Sequence, residues 1–404
     1  MEKINGGVCA APGFQAAGAF GGIGKNEEKG DMALILSDTV CNTAAIFTKN
    51  KVQGAHIKVS RKHLENGKAQ AILCNSGNAN TCTADGVEVA EEGCRLVADA
   101  CGISPYDVLP ASTGVIGEPM PIEPFKAGVP KLKEGLSDTG STSAAKAMMT
   151  TDTYPKETAV QFTAGGKTCT IGGAAKGSGM IHPNMGTMLV FITTDCAISP
   201  EMIQKALSDE APASYNQISI DGDTSTNDTV FLMANGKAGN TEITEVNADY
   251  KAFCEALHEV SVDIARMVAG DGEGATRLIE AHVVHAPSLK AARAVSKSVI
   301  CSNLVKAAMF AADANWGRIL DAIGYTDADF STDNVDVSIH SDKGEITVCK
   351  ATAAVPFSEE KASEVLGEDA VYVEIDLHDG DFEASAFGCD LTYEYIKINA
   401  EYRS

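Results

Sequence analysis

Apolar and polar residues alternate in short runs through the first third of the chain. "MALILS" (32–37), "NTAAIFT" (42–48), "AHIKVS" (55–60) and "AQAILCNSGNAN" (69–80) read as strands separated by small-residue turns. The period then lengthens. "DGVEVAEEGCRLVADACG" (85–102) sets Val87, Val89, Cys94, Val97 and Ala98 at helical spacing, with Gly102 as the stop. "VLPASTGVIG" is a strand running into a Ser/Thr/Gly loop, and "KETAVQFTAGGKTCTIGGAAKGS" is a hairpin turning at Gly165-Gly166. "MLVFITTD" (188–195) is an unbroken apolar strand of the kind buried on both faces.

A helix follows over "SPEMIQKALSDE", where Ser199 caps and Pro200 suits the first turn. Residues 248–268 form another, with Gly270 after it. "TRLIEAHVVHA" is a strand, and "SLKAARAVSKSVICSNLVKAAMFAAD" a long helix or two. From about 335 the chain turns β-rich, through "VDVSIH", "EITVCK", "AVYVEIDLH", "FEASAF" and "TYEYIKINAEY". The mixture predicts an α/β (α+β) layered sandwich with mixed sheets covered by helices. A boundary near 280 divides it into a main domain, 1–280, and a C-terminal lobe, 281–404.

The length allows two domains, and an apolar content of 44% is enough for a sizeable core. A net charge of −23 argues against a nucleic-acid partner but leaves room for small anions, because a few local cations dominate a pocket. No apolar run reaches the ~18 residues of a membrane span, and the start lacks the leucine-rich middle of a secretion signal. A cytoplasmic protein is expected. Twelve cysteines without a C-x-x-C pair read as reduced thiols.

Several tempting motifs fail. "GGIGKN" lacks the earlier glycine of a phosphate loop, and Asn26 stands where Ser or Thr would hold magnesium. "DGDTSTNDT" (221–229) opens like a calcium loop, yet Leu232 occupies the twelfth place, so a hydrogen-bonded turn is the better reading. The eight histidines show no metal spacing. No metal and no cofactor are expected.

Gly186-Thr187 precedes the buried strand. Threonine is a poor nucleophile unless a base sits beside it, and an N-terminal threonine carries one in its own α-amine, of pKa ~7.7–8. An internal threonine reaches that state only if the preceding peptide bond is cut. Glycine at 186 tolerates the backbone that exposes its carbonyl to the Thr187 hydroxyl. Taken alone, the dipeptide is equally a turn leading into a strand.

The longer stretch "KGSGMIHPNMGTMLVFITTD" closely resembles the self-cleavage segment of the ornithine acetyltransferase family, also called glutamate N-acetyltransferases. "GFQAAG", "NSGNAN", "STGVIG", "TTDTYPK", "SIDGDTSTNDT", "GDGEGATR", "DANWGRI" and "GCDLTYEYIKINAEYRS" resemble it in order along nearly the whole chain. The resemblance implies an N-terminal-nucleophile fold of the DmpA/ArgJ kind. It implies a cut between Gly186 and Thr187, giving an α chain 1–186 and a β chain 187–404 that stay together as an α2β2 heterotetramer. Thr187 would then take acetyl from N2-acetyl-L-ornithine and pass it to L-glutamate, by a ping-pong reaction in arginine biosynthesis. Acetyl-CoA is a further donor in bifunctional members.

By the same resemblance, Thr113 and Gly114 form the oxyanion hole, and Thr150, Lys176, Thr187, Glu273, Asn399 and Ser404 contact substrate. Without it, the 112–114 loop and Thr150 read as plain turns, Lys176 and Glu273 as solvated charges, and Asn399 and Ser404 as a frayed end. Two other readings share these residues: an N-terminal-threonine amidase or aminopeptidase that delivers the acyl group to water, and an uncleaved binding protein of the same fold.

Overall fold

A computed structural model describes residues 1–182 and 188–401 of the chain. Among them, nine strands build one mixed sheet. Its order from one edge is Glu2–Ile4, Lys156–Ala164, Lys167–Lys176, Leu189–Thr194, Thr229–Ala234, Met32–Phe47, Lys68–Asn75 and Val108–Ser112, with Phe14–Ala19 paired alongside the first part of Met32–Phe47. Leu189–Thr194 runs parallel to Thr229–Ala234 and antiparallel to Lys167–Lys176.

The unbroken apolar run at 188–195 is thereby explained. Val190 and Ile192 enter the core beneath the helices Pro200–Glu210 and Ala248–Gly270. Leu189 and Phe191 face the opposite layer, with the helix Ser141–Met148. Helices Gly86–Cys101 and Glu123–Gly135 cover the far strands of the sheet.

The second sheet has the order Ala353–Ala354, Gly344–Lys350, Asp336–Ser341, Ala370–Asp376, Leu278–Ala286, Phe382–Cys389, Ile218–Ser219. Helices Leu289–Cys301, Asn303–Phe310, Trp316–Gly324 and Glu359–Leu366 complete its core. Leu278–Ala286 spans the expected boundary at 280 as an interior strand of this sheet. The α/β layered class expected from sequence is the one observed. No described helix is long and apolar enough to cross a membrane.

Local expectations hold where the signal is strong. The Gly165-Gly166 turn has φ of 55° and 70°, and Gly102 caps its helix at φ 70°. Ser199 Oγ accepts the Met202 N–H. Three readings need correction. Residues 55–60 open the helix Ala55–His63, whose buried His56, Ile57, Val59, Ser60 and His63 follow a helical stripe. A six-residue window cannot separate that stripe from alternation, and Arg61, Lys62 and His63 suit a helix C-terminus. The "TYEYIKINAEY" run forms the helix Tyr393–Glu401, with Thr392 Oγ1 accepting the Tyr395 N–H, despite its aromatic and β-branched content. "MALILS" and "NTAAIFT" prove to be one strand interrupted by a bulge between Leu36 and Cys41.

Candidate active site

The strand Leu189–Thr194 is gripped at its entry. Met188 donates its N–H to Asp228 Oδ1 at 2.9 Å, while its carbonyl accepts the Thr229 N–H at 3.1 Å. Asp228 is fully buried, and burial holds its carboxyl well above the usual carboxylate range against the pull of Met188 N–H and the Lys176 ammonium. Its Oδ2 has no partner among the described residues. On the other side of the gap, Asp221 accepts the N–H groups of Met180 at 2.6 Å and Ile181 at 2.9 Å. The 221–229 turn therefore fastens the chain both before and after residues 183–187, and it is laced with side-chain-to-backbone bonds as the sequence reading expects. Gly186 and Thr187 lie outside the described residues, as does Ser404.

Asn227 extends this turn to the 112–115 loop. Its amide nitrogen donates to Ala79 O at 2.6 Å and Ser112 O at 2.8 Å. Its Oδ1 accepts from the Thr81 and Thr226 hydroxyls at 2.7 and 2.6 Å. Thr113 and Gly114 follow directly. Gly114 has φ +132°, and a Cβ there would sit 2.3 Å from Gly77 C, so the two loops touch only because this residue is glycine. The Thr113 side chain is buried.

Lys176 ends the strand 167–176 and is only 2% exposed. Its ammonium lies 3.9 Å from Asp152 Oδ2. Asp152 is otherwise saturated. Oδ1 accepts Lys156 Nζ at 2.7 Å and the Gly177 N–H at 2.6 Å, and Oδ2 accepts the Thr150 N–H at 3.0 Å. Burial alone would raise this carboxyl, but Lys176 and Lys156 hold it well below the usual range. Lys156 also reaches Asp271 Oδ2 at 2.5 Å, and Asp271 accepts the Thr153 N–H at 3.0 Å.

Glu273, two residues on, is buried and accepts Asn399 Nδ2 at 2.7 Å. Its N–H donates to Ser178 O at 2.9 Å, and Gly179 leaves room for its carboxylate. Gly274, at φ +69°, lets the helix Tyr393–Glu401 pack on this turn: a Cβ would meet Tyr395 N at 2.8 Å. Asn399 is thus tied down rather than frayed. Thr150 lines a cavity of about 650 Å³ together with Gly77, Val115, Lys25 and Lys29. The Lys29 ammonium donates to Met149 O, and burial lowers its pKa.

Thr150 and Lys176 thus meet at Asp152, and Glu273 meets Asn399, while Thr113 and Gly114 follow the Ser112 that Asn227 holds. Asp152, Lys156, Asp271, Asn227 and Asp228 had no role in the sequence reading, although each lies within a quoted motif. The "GGIGKN" loop closes on a carboxylate: Asp31 accepts the N–H groups of Gly21, Gly22, Ile23 and Gly24 at 2.6–3.0 Å. Such a nest of backbone amides elsewhere holds phosphate. Here it is already filled by the chain itself.

Residues 15–404 match the family model described as the ArgJ family. A protein of Symbiobacterium thermophilum is 48% identical over the full length of both chains, and one of Bacillus subtilis is 45% identical over 100% of this chain and 98% of its own. Both are named "Arginine biosynthesis bifunctional protein ArgJ". A crystal structure of the so-named protein from Bacillus halodurans is 42% identical and superposes with a TM-score of 0.50, over 53% of this chain and 98% of that one. From a match that spans almost the entire sequence, and relatives this similar from end to end, the chain belongs to the ArgJ family.

Proposed function

We propose that this chain is an acetyltransferase of arginine biosynthesis, activated by cutting itself between Gly186 and Thr187. The Thr187 hydroxyl attacks the Gly186 carbonyl, the acyl group shifts from nitrogen to oxygen, and water hydrolyses the ester. Gly186 is left with a carboxylate and Thr187 with a free amine, which becomes the base for its own hydroxyl. In the first half-reaction that hydroxyl takes acetyl from N2-acetyl-L-ornithine, and ornithine departs with the proton. In the second, the L-glutamate α-amine attacks the acetyl ester, forms N-acetylglutamate and restores the hydroxyl. Thr113 and Gly114 donate to the oxyanion of each tetrahedral intermediate.

The buried Lys176 ammonium carries the reading, because it is only 2% exposed and stands 3.9 Å from Asp152, beyond hydrogen-bond distance. A cation excluded from water calls for an acceptor, and both amino-acid substrates bring an α-carboxylate. Glu273 supplies the opposite charge for ornithine. The solved Bacillus halodurans chain corresponds to about half of this one, a size comparable with either product of the proposed cut. The products stay together as an α2β2 assembly. The bifunctional name of the relatives makes acetyl-CoA the second donor to assay.

Intact mass measurement before and after addition of acetylornithine tests the scheme. It expects two polypeptides, the larger beginning at Thr187 and gaining one acetyl group. A single uncut chain that turns over, or acetate release at the same rate with and without glutamate, would refute it.

A further inference from the structure

At one end of the second sheet three neighbouring strands stop at the same level, since Asp376 stands opposite both Asp336 and Val284. The chain beyond them is drawn together. Leu377 donates its N–H to Val284 O at 3.2 Å and Asp379 to His285 O at 2.8 Å. Gly380 permits the close approach, because a Cβ there would lie 2.4 Å from Ala286 O. His285 and His378, 93 positions apart in sequence, consequently face one carboxylate. Asp376 Oδ2 is 2.9 Å from His285 Nδ1, and Oδ1 is 3.3 Å from His378 Nδ1. Among the described residues this is the one group of three such side chains whose ligating atoms all lie within 4.8 Å of one another.

The separations suit a metal ion. Metal–nitrogen and metal–oxygen bonds of ~2.0–2.2 Å at tetrahedral angles place neighbouring ligand atoms roughly 3.3 Å apart. The second ring nitrogen of His378 adds an independent feature: Nε2 lies 3.1 Å from Asp336 Oδ2, while Asp336 Oδ1 accepts the Ala351 N–H at 2.7 Å. A histidine that ligates through one nitrogen commonly donates its other N–H to such a fixed carboxylate.

We propose that His285 Nδ1, His378 Nδ1 and Asp376 bind a divalent transition-metal ion of the zinc class, with Asp336 orienting His378 from behind. On binding, each neutral imidazole carries its proton on Nε2, and in His378 that N–H is the one Asp336 accepts. The imidazoles are 56% and 36% exposed, so water completes the coordination. The ion joins the ends of two strands directly and the third through Asp336 and His378, and it lies apart from the residues assigned to acetyl transfer.

The test is titration of chelator-stripped, self-cleaved enzyme with Zn²⁺ alone, against a chromophoric competitor. Wild type should bind one equivalent that His285→Gln and His378→Gln lack, with acetyl transfer by both variants confirming their fold. Asp336→Asn should keep that equivalent at about 10–100-fold lower affinity. Co²⁺ should give a visible spectrum without a thiolate charge-transfer band. Undiminished binding by the His285→Gln/His378→Gln double variant, or a thiolate band that follows the bound equivalent, would overturn the assignment.

Discussion

Lys156 and Lys176 share one carboxylate, Asp152, and are equally hidden from solvent, yet their substitution should have opposite consequences. Lys156 is a structural cation: it reaches Asp152 at 2.7 Å and Asp271 at 2.5 Å. Lys156→Met leaves two buried carboxylates without the ammonium they share. Removing one partner of a buried ion pair costs ~3–5 kcal/mol. Lys176 stands 3.9 Å from Asp152. At an effective dielectric constant near 20 that attraction is ~4 kcal/mol, and the desolvation of a buried ion, several kcal/mol, cancels most of it. In Lys176→Met, Asp152 still has Lys156 and the N–H groups of Gly177 and Thr150. The loss of stability should stay within ~1 kcal/mol.

Function should respond in the reverse sense. Losing a charge-assisted hydrogen bond to a carboxylate costs ~1.5–3 kcal/mol, which is roughly 10–150-fold in kcat/KM. Both half-reactions should suffer, because both substrates carry the α-carboxylate. Urea unfolding measured beside kcat/KM for acetylornithine and for glutamate separates the two lysines. A Lys176→Met enzyme that is as destabilised as Lys156→Met but keeps its kcat/KM would refute the reasoning.

Further outcomes are expected around the nucleophile. Thr187→Ala should abolish both self-cleavage and turnover while Thr187→Ser retains part of each, read by denaturing gel and by N-acetylglutamate formation. Gly114→Ala forces a Cβ to within 2.3 Å of Gly77 C at φ +132°; kcat should fall at least ~100-fold, the scale of a lost oxyanion donor, with the fold checked by circular dichroism. His182 is pushed down to about 4 by burial and then by Lys297. The unfolded chain, with a histidine near 6.5, therefore binds the proton first, and stability should be lost as pH falls from about 6.5 towards 4. His182→Gln should flatten that part of the Tm–pH profile, and an unchanged slope would count against the assignment.

The layered α/β architecture was legible because its strongest signals are local. The hairpin turn at Gly165-Gly166, the cap at Ser199 and the doubly buried strand 189–194 each announce themselves within a few residues. Residues 55–63 and 393–401 misled because their apolar spacing is decided by which neighbours they pack against. The helix Glu123–Gly135 carries Pro124, Pro130 and two glycines, which hide its period. At the site, Lys176 and Glu273 were named by the resemblance alone, since on their own they read as solvated charges, whereas both are buried. Sequence could not show that Asp152 and Asp271 share Lys156, or that Asn227 bonds to Ala79 and Ser112. Those contacts depend on chain crossings longer than 100 residues, and no periodicity encodes them.

The strand order of the large sheet bears on what a broken Gly186–Thr187 bond would leave behind. Leu189–Thr194 and Thr229–Ala234 come from the downstream piece and lie between Lys167–Lys176 and Met32–Phe47 of the upstream piece, laddered to both. The two polypeptides are interleaved, so neither can leave without tearing the sheet across its middle. Dilution should not part them, separately labelled enzymes should not trade halves, and one cooperative melting transition should survive the cut.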